Sequence, residues 1–177
     1  MQVEIKREKP VARDEVDVLY KLSFEKEDIS SVIRKFRDSE LFIPELSRVA
    51  RINDQIIGSI MLAKGEIVRG RRHTPVIIIV GMAVLPKYQG LGVGEELMRS
   101  AFLKARKHQF KAILVFDQDE YFTKFGFTLA SDYEITTSIE IGEDEFYALE
   151  LEEGYLEDAR GNLKNQPIYN ELLQYYI

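Results

Sequence analysis

The chain has 177 residues, 45% of them hydrophobic and 31% charged, with a net charge of -6 and no Cys. That length fits one domain, and the composition suits a globular protein that can bury its own core. The lack of Cys excludes disulfides, thiolate metal sites and a Cys nucleophile and points to a cytoplasmic protein, while the acidic balance argues against a nucleic-acid binder, which needs a basic face.

The first residues alternate apolar and polar side chains without the apolar core of a signal peptide, and Gln2 to Lys6 reads as a strand. Val16, Leu19, Tyr20 and Phe24 recur at helical spacing, with Asp14 as the expected N-cap. Ile29, Val32, Ile33 and Phe36 predict a second short helix, capped by Asp28 or Ser30. Ser47 to Ile52 and Gln55 to Ala63, joined by Asn53-Asp54, form a hairpin whose second strand continues to Val68. Gly70 to His73, with Pro75, reads as the next turn, and Val76 to Leu85 as a buried central strand too short to span a membrane.

A glycine-rich turn, Gln89-Gly90-Leu91-Gly92-Val93-Gly94, then leads into a helix with Leu97, Met98, Ala101, Phe102 and Ala105 on one face. Ala112 to Phe116 is another buried strand, so Val76 to Phe116 forms a β-loop-α-β unit whose two strands should be parallel. Tyr121 to Phe125 reads as a short helix stopped by Gly126. Beyond it, no Lys or Arg falls between Lys124 and Arg160, a stretch crowded with Asp and Glu. An acidic face of that kind favours a cationic substrate or partner; the simpler account is a solvated surface. Tyr133 with Ile135, Ile139 with Ile141, and Phe146 to Leu151 alternate as strands, and Pro167 to Tyr176 as a closing helix. With no repeat or linker, residues 1–177 read as one domain.

The glycine turn carries most of the functional information. The first N–H groups of a helix have no partner within it, and the helix dipole adds positive charge there. Glycines let an anion approach the backbone. A P-loop needs Lys-Ser/Thr after its last glycine, whereas Gly94 is followed by Glu95-Glu96. A dinucleotide fold needs Gly-x-Gly-x-x-Gly directly after its first strand, and the spacing here is different, although Asp117 sits where a ribose-binding acid would.

The pattern Gln89-x-x-Gly92-x-Gly94 between a strand and a helix resembles the acetyl-coenzyme A loop of the GCN5-related N-acetyltransferase (GNAT) superfamily. Tyr121-Phe122-Thr123-Lys124-Phe125-Gly126-Phe127 resembles that family's Tyr-x-Lys-x-Gly-Phe segment after the fifth strand. The likeness runs nearly end to end, and the Asn53 to Gly58 hairpin and the Ala148 to Gly161 tail look like the YhbS-type branch of predicted acetyltransferases. It implies a mixed, mostly antiparallel sheet with a central parallel strand pair flanked by helices. The acetyl-CoA-binding core would span about 47–130, with acidic C-terminal strands and tail over 131–177.

By that resemblance Gln89, Gly90, Leu91, Gly92, Val93, Gly94 and Glu95 hold the pyrophosphate of acetyl-CoA. Met82 and Val84, with Ala83 between them, offer backbone groups to the pantetheine amides, which would require the central strand to splay near Gly81. The implied reaction is direct attack of a primary amine, of a small molecule or peptide, on the thioester. The proton donor departs from the family pattern: the usual Tyr position is Phe122, and Tyr121 lies one residue earlier, turned by about 100° on a helix. Tyr121 is the candidate acid, with helix packing as its structural alternative. Glu66, Asp117 and Asp119 are candidates for relaying protons or, more simply, capping or solvated acids. His73 and His108 are isolated, so no metal site is expected, nor a nucleic-acid or membrane partner; the chain would act as a monomer or homodimer. Two rival readings are a non-catalytic CoA sensor, suggested by the displaced Tyr, and a nucleotide binder.

Overall fold

A computed structural model of the chain describes residues 2–24 and 29–175. They form two compact units, Met1–Ala63 with Val80–Lys107, and Lys64–Ile79 with His108–Ile177. Two long strands, β3 (Gln55–Arg69) and β4 (Arg72–Val84), contribute to both.

In the first unit β1 (Glu4–Arg7), β2 (Phe42–Ile52), β3 and β4 lie in that order. β2 begins five residues before the expected Ser47. Pro44 disguises this start, because it cannot donate to a ladder; a register irregularity between Phe42 and Ser47 accommodates it. α1 (Arg13–Ser23) follows a 3-10 turn over Pro10–Ala12, so Ala12 takes the N-cap position expected of Asp14. Asp14 and Glu15 instead lie in the first turn, where the dipole favours acids, and Glu15 accepts the Ile56 N–H at 2.8 Å. α2 (Ser30–Arg37) starts at the expected Ser30, but as its first helical residue rather than its cap. The cap position is Ile29, which makes no side-chain cap bond; Asp28 lies outside the described residues.

A buried ion network joins these helices to the sheet. Arg37, 7% exposed, donates to Asp17 at 2.6 Å and to Glu8 at 3.1 Å. Asp17 also takes Arg34 at 2.6 Å, and Ser47 donates to Glu8 at 3.2 Å. Burial pulls the Arg37 guanidinium toward neutrality, but Glu8 and Asp17 outweigh it and raise its pKa. Removing one partner from such a cluster costs about 3–5 kcal/mol, because an uncompensated buried charge remains. α3 (Val93–Lys107) presents Val93, Leu97, Met98, Ala101 and Ala105 to the core. It lies close to β3 at Gly58, where a Cβ would meet Leu97 at 3.1 Å and Val93 at 3.2 Å.

In the second unit the order is β3, β4, β5 (Ala112–Phe116), β8 (Phe146–Glu150) and β6 (Thr128–Leu129). β4 and β5 are parallel, from Ile77↔Ile113 to Ile79↔Val115, as a β-loop-α-β connection demands. The expected turn at Gly70–Pro75 shrinks to Gly70-Arg71, and β4 already starts at Arg72. Pro75 is tolerated because it precedes the stretch paired with β5, where its missing N–H would matter. β7 (Ile135–Thr137) pairs in parallel with β9 (Gly161–Leu163), which also pairs with β3. Ile139 and Ile141 do not form the expected strand: the Ile139 N–H goes to Thr137 Oγ1 and the Ile141 N–H to the Ile139 carbonyl, which makes a turn. α4 (Pro167–Leu173) closes the chain, shorter than the expected Pro167 to Tyr176; Tyr176 lies outside the described residues. Among the described residues no helix is long and apolar enough to cross a membrane.

Candidate functional site

In the first unit β4 ends at Val84, and the Leu85 N–H bonds the Ile57 carbonyl at 2.9 Å, anchoring the exit of the strand to β3. A 3-10 turn over Pro86–Tyr88 follows. Gly90 and Gly92 then have φ of +71° and +82°, a region costly for other residues. A Cβ on either would meet nothing within 4 Å, so space is open on the Cβ side of both glycines. α3 begins at Val93, and its Glu96 N–H bonds the Gly92 carbonyl at 3.1 Å. The amides upstream of Glu96 precede that bond, at the positive end of a helix of 15 residues. Gly92, in the N-cap position, has no side chain to close them off.

The expected strand residues lie alongside. Ala83 is buried, and Met82 and Val84 are half-buried. The Val84 carbonyl accepts Gln89 Nε2–H at 2.9 Å and Ser23 Oγ–H at 3.3 Å. The sequence singled out Gln89 for its backbone, and it missed Ser23, which no spacing rule connects to β4. Gly81 is a close-approach glycine: a Cβ there would lie 2.7 Å from both Tyr20 Oη and Ile33 Cδ1. α1 and α2 therefore touch the central strand one residue before Met82. The paired register of β4 with β5 ends at Ile79, two residues before Gly81.

The Tyr121–Phe125 segment, in the second unit, is a 3-10 helix closed by Gly126 in the left-handed region. Phe122 is buried and packs edge-on against Phe127, with centroids 5.7 Å apart. Tyr121 is partly exposed, with Lys124 Nζ 4.1 Å from its ring centroid. Asp117 is the capping acid of this segment. It is 8% exposed, and its carboxylate accepts the Asp119 N–H at 3.1 Å and the Phe122 N–H at 3.0 Å. Tyr147 of β8 went unnoticed in the sequence, hidden in an ordinary alternating strand. Its phenol is held protonated above its usual range, by burial first and then by Glu120, Asp117 and Asp144.

Glu66 takes His73 Nδ1 at 2.6 Å and Lys164 Nζ at 3.3 Å. Burial pushes its carboxyl up, but those two partners outweigh it and hold the pKa below the ordinary value. Glu66 and Asp117 thus both have structural work. No group of three or more His, Cys, Asp and Glu suited to a metal occurs among the described residues.

A mixed α/β sheet with a parallel strand pair, from which a glycine turn feeds a helix, is a fold of the acetyltransferase type. The chain belongs to the Acetyltransferase (GNAT) family, whose model matches residues 13–127. The Uncharacterized N-acetyltransferase YjhQ of Escherichia coli (strain K12) is 29% identical over 99 residues, 55% of this chain and 54% of that protein, so the match spans about half of that relative's length. The GNAT family N-acetyltransferase YhbS from Escherichia coli, solved in complex with CoA, has the same fold, with a TM-score of 0.88, 19% identity, and coverage of 96% of this chain and 93% of that one. A GNAT family acetyltransferase from Brucella melitensis in complex with acetyl-CoA aligns at a TM-score of 0.73 and 18% identity, covering 95% of this chain and 98% of that one. The sheet expected from the sequence, mostly antiparallel with a central parallel pair, is the sheet found, and β7–β9 adds a second parallel pairing.

Proposed function

We propose that the chain is an acetyl-CoA-dependent N-acetyltransferase that acetylates a primary amine of a small molecule or peptide by direct attack. The observation that carries this reading is the glycine turn: two left-handed glycines with open space at their Cβ positions, directly before the N-terminus of α3, in a chain of the GNAT family. The amides from Gln89 through Gly94 to Glu95 would hold the pyrophosphate. Met82 and Val84, flanking Ala83, would offer backbone groups to the pantetheine amides, as an open strand does to a peptide. Open space where a Cβ would stand on Gly90 and on Gly92 supports the donor side of this reading.

When bound, acetyl-CoA supplies the activated acyl group. The chain's part is to place it, to polarise its carbonyl with a main-chain N–H in the Met82–Val84 region, and to deliver a proton to the departing sulfur while the amine loses one. With no Cys in the chain, an acyl-cysteine route is excluded. Tyr121 is our candidate proton donor. Residues 1–177 serve as one acetyltransferase domain, in the cytoplasm, as a monomer or homodimer, and the acidic C-terminal segment favours a cationic acceptor. A CoA-binding sensor without turnover is the second reading, favoured by the buried Phe122 in the usual donor position.

Thermal unfolding with acetyl-CoA, CoA and NAD tests the ligand: stabilisation by the first two supports the reading, and stabilisation by NAD alone sinks it. Release of free thiol with a panel of polyamines, aminoglycosides, amino acids and peptides tests turnover. Binding without thiol release from any of them favours the sensor.

A further inference from the structure

Arg48 of β2 is as buried as Arg37, at 8% exposed, but its surroundings differ. Its Nε–H donates to Ser100 Oγ of α3 at 3.1 Å. The ion pairs among the described residues give Arg37 two carboxylates and give Arg48 none. A hydroxyl is neutral and leaves the charge uncompensated, and arginines are almost never this buried unless paired. The residue directly opposite Arg48 in the β1–β2 register is Arg7, another cation. Cross-strand partners project from the same face with their Cβ atoms about 5 Å apart, and like charges there repel. Arg7 meets Glu45 only at 3.8 Å, which leaves the pair of arginines with one acid between them. Burial first, and then Arg7, makes the Arg48 guanidinium easier to deprotonate than usual.

We propose that Arg48, Arg7 and Ser100 form an oxyanion site that takes the carboxylate or phosphate group of a small ligand. With Nε engaged by Ser100, the two Nη groups of Arg48 remain, and their paired N–H bonds match two oxygens of either anion. Ser100 Oγ accepts from Nε and keeps its own O–H to donate. Arg7 supplies the second positive charge. The site involves none of the glycine-turn residues and does not depend on the acetyltransferase reading.

Thermal unfolding of the full chain in chloride, phosphate and acetate at matched ionic strength tests it. Because phosphate also suits the glycine turn, the measurement is made in the Gly92→Asp background as well as in wild type. Both should gain a few degrees in at least one oxyanion. A response to phosphate alone or to acetate alone says which group the site takes. Arg48→Met should lose the response and be no less stable than wild type in chloride. Arg7→Gln, a change on an exposed edge residue, should weaken the response several-fold, and it tests the site even if Arg48→Met fails to fold. The proposal is overturned if the Gly92→Asp protein unfolds alike in all three salts, or if Arg48→Met or Arg7→Gln keeps the full response. It is equally overturned if the chain forms a concentration-dependent dimer that Arg48→Met dissociates, since an acid of a second copy would then be the missing partner.

Discussion

The Gln89–Gly94 turn and the Tyr121–Phe125 segment both follow a buried strand and both open a helical stretch, yet the chain finishes them in opposite ways. At Tyr121–Phe125 it provides its own anion: the Asp117 carboxylate caps the Asp119 and Phe122 amides. At the glycine turn the N-cap residue is Gly92, with no side chain, a φ of +82° and open space where a Cβ would stand. The Asp119 and Phe122 amides are satisfied by an acid of the chain itself, whereas Gly92 offers the first turn of α3 no side-chain acceptor.

The sharpest way to break this contrast is to give the turn its own carboxylate. Gly92→Asp should lower affinity for acetyl-CoA and CoA more than about 100-fold by calorimetry, through repulsion and loss of the amide donors; wild-type affinity would refute the loop assignment. Next in size is Tyr121→Phe. If its hydroxyl donates the proton, turnover should drop about 100-fold with CoA affinity and Tm unchanged. A loss that instead accompanies Tyr147→Phe moves the donor to β8. Asp117→Ala removes the acid from the self-capped segment and should cost about 2 kcal/mol in denaturant unfolding, while CoA affinity stays the same. The smallest effect lies outside both segments. The pKa of Glu66 is lowered in the folded chain, so its contribution to stability is present above the carboxyl's ordinary value of 4.5 and fades as pH falls below it. The Tm difference between wild type and Glu66→Gln should therefore shrink on acidification from neutral pH to below that value.

Strands and helices with clean periodicity were legible in the sequence: β5 falls at the expected residues, and the buried face of α3 matches except for Phe102, which is half-buried. Legibility failed where proline or side-chain turns intervened. Pro75 made the start of β4 look like a turn, and Thr137 captured an amide that alternation assigned to a strand. Of the candidate site, the glycine turn could be read because consecutive residues build it. Ser23, 61 positions from the Val84 carbonyl it contacts, and Tyr147, whose partners come from several loops, could not. The same applies to Arg48: that it lacks an acid is a fact about its surroundings, with no trace in local pattern.

Gly81 has a consequence for alignment. Tyr20 and Ile33 rest where its side chain would be, at a point on β4 that admits only a hydrogen. A slip of the strand by one residue would bring Val80 or Met82 to that point, with a side chain and the opposite facing. The two helices thus act as a detent on the central strand. They hold β4 at one position, so Met82 and Val84 meet the same helical neighbours in every folded molecule.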